Sequence, residues 1–584
     1  MEFLTKYCLP ILTALLLILF YLQLPDLRRC ATDDAGRERF RLGRADALIM
    51  AVISLLYAAA AFYRLGNTES PQTFVNMEGR SAEIELDPKA GGAVRLMIFE
   101  GVGIGEYSVT CTQDGGRTWH EVVKIEQSHA DVLKWHEIAL CADVSGGTIA
   151  ISGTGNVWLG EVVALDAGGD VIPAKSSAPG LCDEQSLCPD RQTFMNSTYF
   201  DEIYHARTAW EHMNNVYPYE ITHPPLGKLI ISIGIAIFGM TPFGWRFSGT
   251  FFGVLMLPVM YVFAKKLFGG RAVPTACMLV FASDFMHYVQ TRIATIDTYA
   301  VFFILLMYLF MYLFVSGGKW RDLALSGIFF GIGAASKWTC LYAGAGLAVI
   351  WLIWVLVQTG RGNMDMKKFW KLAGFCLIFF VLIPCVIYYL SYYPYGRARN
   401  AAIFSRDYLR IVLDNQTYMF NYHSGVTAEH PYSSRWYQWI LDIRPILYYL
   451  EYFDDGTHSS FGAFVNPALC WGGLLSLFVL IYMALFRRDK RAGFLLIAYF
   501  AQLIPWMFIT RITFEYHYFP CAAFLVLTVG YVFNLMRQNE KHWELYVSGF
   551  TALSMALFVL FYPALSGRPV AANGLLSWLP TWPF

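Results

Sequence analysis

The sequence is poor in charge. Asp, Glu, Lys and Arg make up only 15% of its 584 residues, and 44 basic side chains cancel 44 acidic ones. A nucleic-acid binder needs a cationic excess or patch to displace phosphate counterions, whereas the basic residues here are scattered between apolar runs, so no nucleic-acid partner is expected. Also missing are a Gly-x-x-x-x-Gly-Lys-Ser/Thr loop and a soluble dinucleotide-binding unit. The glycine-rich "EGVGIGEY" (100–107) falls between strand-like runs with no helix after it and reads as a turn. Cysteine is sparse, at 12 residues. Cys111 with Cys141, and Cys182 with Cys188 in "LCDEQSLCPD", are candidate local disulfides for an oxidising compartment. No second Cys or His pair stands at ligand spacing beside the latter, which argues against zinc. The other cysteines lie mostly in apolar runs as small packing residues.

What the chain does have is apolar length. Hydrophobic residues make up 56% and aromatics 17%, too apolar and too long for one soluble core. Runs of roughly 17 to 25 apolar residues predict about twelve membrane spans, near 8–24, 46–64, 243–264, 273–290, 297–316, 322–338, 340–358, 370–391, 466–486, 491–510, 517–535 and 544–563. No small-residue cleavage site follows the first run, where "YLQLPDLRR" stands, so that span is expected to be retained. The basic stretches 26–46, 264–271, 317–322, 361–371, 487–491 and 537–541 fall on one side, which the positive-inside rule makes cytoplasmic. Both termini and two long loops, about 65–226 and 392–465, are then extracytoplasmic.

Within the first loop the pattern changes to short alternating runs such as "AEIEL", "AVRLMIF", "YSVTCT" and "TIAIS", separated by "DPKAGG", "QDGGRTW" and "SGG". Alternation with Asp-Gly and Gly-Gly turns predicts a β-sandwich, jelly-roll-like, over 68–180. "EYSVTCTQDGGRTWHEV" resembles strands of galactose-binding-like sandwiches, and a structural or docking role is the first expectation for the domain. It is preceded by a transmembrane hairpin (1–67) and followed by a catalytic membrane domain (181–584) with its catalytic loop at 195–240.

That loop opens with "YFDEIYHARTAWEH" (199–212), continues through "YEITHPPLGKLIISIGIAIFG" (219–239), and so sets acids, histidines and cations beside a proline-led, partly embedded helix. A carboxylate held there can serve as general base on a hydroxyl, and nearby cations can neutralise a phosphate leaving group. A solvated loop acid is the plain alternative for any one of these residues.

These blocks, with "FGWRFSGTFFGVLMLPVMYVFAKKLFG" (243–269), "YVQTRIATIDTYAVFF" (288–303), "GIGAASKWTCLYAGAG" (331–346) and "HPYSSRWYQWILDIRPI" (430–446), resemble the protein O-mannosyltransferases over roughly 195–584. The resemblance implies a mainly α, polytopic GT-C glycosyltransferase that takes mannose from a polyprenyl phosphate and passes it, with inversion, to Ser or Thr of a protein. It implies Asp201 as base, Glu202 as orienting acid, and Arg246 and Lys337 near the lipid phosphate. It also implies catalysis without a metal, although Asp201 and Glu202 are residues that could hold a divalent ion. His223 and Lys228 would shape the loop or touch substrate. Arg292 with Asp297 is either a phosphate contact or a local ion pair. Arg435 and Trp436 line an acceptor groove or anchor an interfacial helix; Arg511 and His517, beside Glu515, contact the lipid phosphate or form a local polar network. The leading span is extra relative to the family, and the eukaryotic β-trefoil insert is absent, which leaves the acceptor open. A sister enzyme acting on a lipid or cell-wall polymer is the alternative; a transporter or surface sensor would place its ionisable residues near mid-membrane and show internal repeats, neither of which is found. The expected location is the cell membrane.

Overall fold

The computed structural model describes residues 42–584 except 91, 113–117, 146 and 572–573, together with 17, 18, 20, 21, 24, 27 and 28. Most of the expected span 8–24 and most of the basic stretch 26–46 therefore lie outside the described residues. The chain divides into two compact units, one of Arg64–Glu220 and Lys228–Ser248, the other of Met1–Tyr63, Ile221–Gly227 and Gly249–Phe584.

The first unit contains the sandwich. Its strands are β1 (Val75–Asn76), β2 (Ser81–Leu86), β3 (Gly92–Glu100), β4 (Ile104–Thr112), β5 (His120–Gln127), β6 (Lys134–Ser145), β7 (Thr148–Asn156), β8 (Trp158–Leu165), β9 (Val171–Ile172) and β10 (Ala174–Ser176). One sheet runs β1-β8-β3-β6 with β9 on β8, the other β10-β2-β7-β4-β5, and the ladders are antiparallel. The sequence alternation has its structural counterpart in β2, where Ala82, Ile84 and Leu86 are buried and Ser81, Glu83 and Glu85 are exposed. A period of two puts one face on the core, and Ile84, Leu96, Val109, Ile151 and Val162 meet there. Of the glycine run at 100–107, residues 101–103 make the turn between β3 and β4 and 104–107 open β4; Gly103 has φ 126°, and a Cβ there would lie 2.2 Å from the Asn156 carbonyl oxygen.

The same unit carries the helix Glu202–Met213, which packs on the sandwich. Thr198 Oγ1 donates to the Val132 carbonyl at 2.6 Å, Trp210 meets Phe74 and Trp158 edge-on at 5.5 and 5.6 Å, and His129 stacks on Tyr204 at 5.8 Å. The β domain thus holds the acidic motif directly.

The second unit is helical. Among the described residues eight helices of the chain are long and apolar enough to cross a membrane, from Arg44–Phe62 to Trp543–Ser566, and the pair Ala272–Ala282 and Phe285–Thr291, bent by 56°, makes a ninth, broken span. The expected spans 322–338 and 491–510 are present as helices Trp320–Ser336 and Lys490–Met507 of 17 and 18 residues, which open on charge and fall short of the others in length or apolarity. The count of twelve is thus larger than the described helices support by themselves. The break in the bent pair is built by Asp284, whose carboxylate accepts from the His287 and Asn466 backbone amides at 2.9 Å each. The second long loop folds into the helix Arg406–Gly425 and a hairpin, Ile446–Tyr452 with Thr457–Ala463, to which Val570–Ala571 adds a third strand.

Candidate active site

The acidic motif separates its two carboxylates by environment. Phe200 adopts φ 46°, a left-handed conformation that an aromatic residue rarely takes, and Asp201 follows at the helix N-cap without capping it by its side chain. Asp201 is half-buried, whereas Glu202 is fully buried. Both Glu202 oxygens are engaged, Oε1 by Arg246 Nε at 2.7 Å and Oε2 by Arg246 Nη2 at 2.7 Å, with Trp245 Nε1 at 3.3 Å. Arg246 is itself wholly buried; its remaining donors go to the carbonyls of Leu65 (2.9 Å), Phe194 (2.7 Å) and Ser197 (2.8 Å). A guanidinium has five N–H donors, and all five are used. This departs from the expected place of Arg246 beside the lipid phosphate. Arg246 has no donor left for a phosphate, and Glu202 cannot join Asp201 in holding a metal ion without giving up its arginine. Arg246 and Glu202 instead fix the 194–202 turn that presents Asp201.

The rest of the motif is equally tied down. Arg207 pairs with Glu211 at 2.8 Å inside the unit and lies 4.0 Å from the Tyr219 ring centroid, and Glu211 accepts the Tyr219 amide at 2.7 Å. Burial pushes the Glu211 carboxyl up against the pull of Arg207, and holds the His212 imidazole down to about 3. Lys228 is fully buried, ion-paired with Glu220 and donating to its carbonyl at 2.8 Å. These bonds tie Lys228 to the segment that ends at Glu220.

The helical unit gathers cations. Lys337 ends its helix in extended conformation, pairs with Asp297 at 2.7 Å, and places Nζ 5.6 Å from the Tyr516 ring centroid. Tyr516 stacks on His517 at 4.4 Å, and His517 stacks on Trp439 at 5.9 Å. His223 meets His423 edge-on at 5.1 Å, and His423 Nε2 bonds the Thr222 carbonyl at 2.8 Å. Burial lowers the His423 imidazole to about 4, with His223, Arg511 and Lys337 adding to the effect, so these cations lie within electrostatic reach of one another. The sequence gives His423 no signal, because "NYHSG" carries no motif. Of the two readings of Arg292, a local pair with Asp297 is not the arrangement found: Asp297 pairs with Lys337, and Arg292 donates to the carbonyls of Ala61 and Tyr63 at 3.0 Å and covers the Tyr288 ring at 4.8 Å. Arg435 is exposed and clamps the 509–511 carbonyls, at 2.9 Å to Thr510, while Trp436 is half-buried against Tyr437.

The cysteine expectation also needs correction. Cys182 and Cys188 stand as separate thiols, because Cys182 turns inward to donate to the Val162 carbonyl at 3.5 Å while Cys188 turns to that of Pro189. Cys111 is buried in β4, and the Cys141 side chain lies outside the described residues.

Two family models match consecutive parts of the chain: dolichyl-phosphate-mannose-protein mannosyltransferase over 222–388, and the C-terminal four-transmembrane region of protein-O-mannosyltransferase over 408–582. The chain belongs to the protein O-mannosyltransferase family. Among relatives of this family, the polyprenol-phosphate-mannose–protein mannosyltransferase of Mycolicibacterium smegmatis is 25% identical over 452 residues, covering 66% of this chain and 87% of the relative. That of Mycobacterium tuberculosis is 25% identical over 456 residues, covering 66% and 86%. In structure the chain is similar to the S. cerevisiae protein O-mannosyltransferase Pmt1–Pmt2 complex bound to the sugar donor, with TM-score 0.59 at 13% identity over 66% of this chain and 89% of that one. This likeness shows the GT-C fold; the family models and relatives make the chain a glycosyltransferase, and its apolar helices make it a multi-pass membrane protein. The sandwich and the Asp201 motif precede both family-model matches, whereas Lys337, Arg511 and His517 fall within them.

Proposed function

We propose that this family member transfers mannose from a polyprenyl-phosphate donor to Ser or Thr hydroxyls of secreted or membrane proteins, with inversion, at the extracytoplasmic face of the cell membrane. In this reading Asp201 takes the proton of the acceptor hydroxyl as its oxygen attacks C1 of the sugar. The C1–O bond to the phosphate breaks, and the phosphodiester becomes a monoester that carries one more negative charge. Lys337 and Arg511, with His517 and His423 near them, meet that charge. A phosphate leaving group needs no strong acid, so one base and fixed cations suffice.

The observation that carries the reading is the unequal treatment of the paired acids. Glu202 is buried and bonded through both oxygens to Arg246, while its neighbour Asp201 is half-buried at the helix N-cap, directly after the left-handed Phe200. That is the arrangement of a positioned base beside the residue that positions it. Transfer to a lipid or cell-wall polymer is the second reading, favoured by the β domain that packs on the Asp201 helix. Membranes bearing the protein, given radiolabelled polyprenyl-phosphate-mannose and separated into protein, lipid and polymer fractions, distinguish the two. Label in protein that vanishes with Asp201→Asn supports the proposal; label in another fraction moves the acceptor; no Asp201-dependent label refutes both.

A further inference from the structure

A fully buried acid in the sandwich lacks a complete set of partners. Glu161 lies in β8, whose seven other residues are Trp, two Leu, two Val, Ala and Gly, and it is 0% exposed. A carboxylate there is costly unless something neutralises it. Its Oε2 accepts the Glu184 amide at 2.8 Å, but Oε1 accepts no well-formed hydrogen bond. The charged side chains that act most on it are Asp183 and Glu184, both negative. One carboxylate oxygen from each of Glu161, Asp183 and Glu184 lies within 4.8 Å of those from the other two.

We infer that Glu161, Asp183 and Glu184 bind a calcium ion. Oxygens bound to one calcium at about 2.3–2.6 Å stand at most about 5 Å apart, which fits this spacing. The ligands are all hard oxygens, and the nearby Cys182 thiol is directed to the Val162 carbonyl instead, so the set suits calcium and not zinc. Calcium tolerates the irregular, partly water-completed shell that three carboxylates leave, whereas magnesium demands a near-ideal octahedron. The ion has a structural task in this position. Glu184 Oε2 also accepts the Gln72 and Thr73 amides, at 2.8 and 3.4 Å, and the Gln72 side chain bonds Met240 Nα and carbonyl at 2.8 and 3.2 Å. Calcium would pin β8, the segment after Cys182 that leads to the Asp201 helix, and the chain at 72–73 to one point.

Calorimetric titration of the purified full-length protein in detergent with CaCl2 tests this, independently of transfer activity. One saturable site with Kd of about 10⁻⁴–10⁻³ M is expected, as for extracellular calcium modules. At 10 mM calcium and a Kd of about 1 mM the folding equilibrium shifts ~11-fold, visible as a raised unfolding temperature. Glu161→Gln and the exposed Asp183→Asn should each weaken binding at least tenfold; the second avoids disturbing the core. No saturable binding up to 10 mM, or binding unchanged in both variants, overturns the inference.

Discussion

Replacing Arg246 by lysine separates a positioning role from a phosphate-binding one. The native guanidinium places five N–H groups on Glu202 and on the carbonyls of Leu65, Phe194 and Ser197, all inside the unit. Lysine keeps the charge but offers three donors, so two acceptor contacts are lost even with ideal placement. An unsatisfied buried acceptor costs about 1–3 kcal/mol, which puts the loss near 2–6 kcal/mol. A domain is stable by only about 5–15 kcal/mol, so the variant should unfold many degrees earlier. Tryptophan-fluorescence melting of the purified protein measures the first quantity, and initial rates against donor concentration measure the second. The expected result is a lower unfolding temperature and reduced kcat, with donor KM within about threefold of wild type. A normal unfolding temperature combined with a tenfold higher donor KM would refute the positioning role and return Arg246 to the lipid phosphate.

Lys337→Met should raise donor KM at least tenfold while leaving acceptor KM unchanged; an unaltered donor KM in steady-state rates would remove Lys337 from the phosphate site. In the sandwich, burial raises the Glu100 carboxyl to about 7, although Tyr107 donates to it at 2.6 Å and Lys134 pulls the other way from Asp131. Its folded value exceeds the unfolded 4.5, so the folded state binds more protons between those values. The stability this group contributes is therefore full below pH 4.5 and is lost as pH rises through 7. Glu100→Gln should accordingly gain in unfolding temperature over wild type between pH 6 and pH 8, and parallel pH curves for the two proteins would contradict the assignment.

Much of this architecture is legible in the sequence, and the gaps have physical causes. The sandwich shows through where one face of a strand is buried and the other exposed, as the strict alternation of Ser81–Leu86 records. The hairpin Ile446–Tyr452/Thr457–Ala463 is hard to see in the sequence although "DDGT" supplies its turn, because the aromatic run before it also suits a membrane interface. Asp201 stands out by its motif, but the division of labour with Glu202 depends on an arginine 44 residues away. No local pattern reveals how many of that arginine's donors are already taken. The Lys337–Asp297 pair is hidden for the same reason: Arg292 is nearer in sequence, yet Lys337 reaches Asp297 across two helices. The Cys182–Cys188 spacing permits a bridge that the inward turn of Cys182 forgoes.

The central claim, that Asp201 is the base of a mannosyl transfer, is tested most directly by one rate comparison. Purified wild-type protein and Asp201→Asn receive saturating polyprenyl-phosphate-mannose and a Ser/Thr-containing peptide, with unfolding temperatures measured on the same samples. A positioned general base is worth about 10²–10⁴-fold, so the variant should lose at least about 100-fold in peptide mannosylation at an unchanged unfolding temperature. Wild-type rates from the variant would contradict the account.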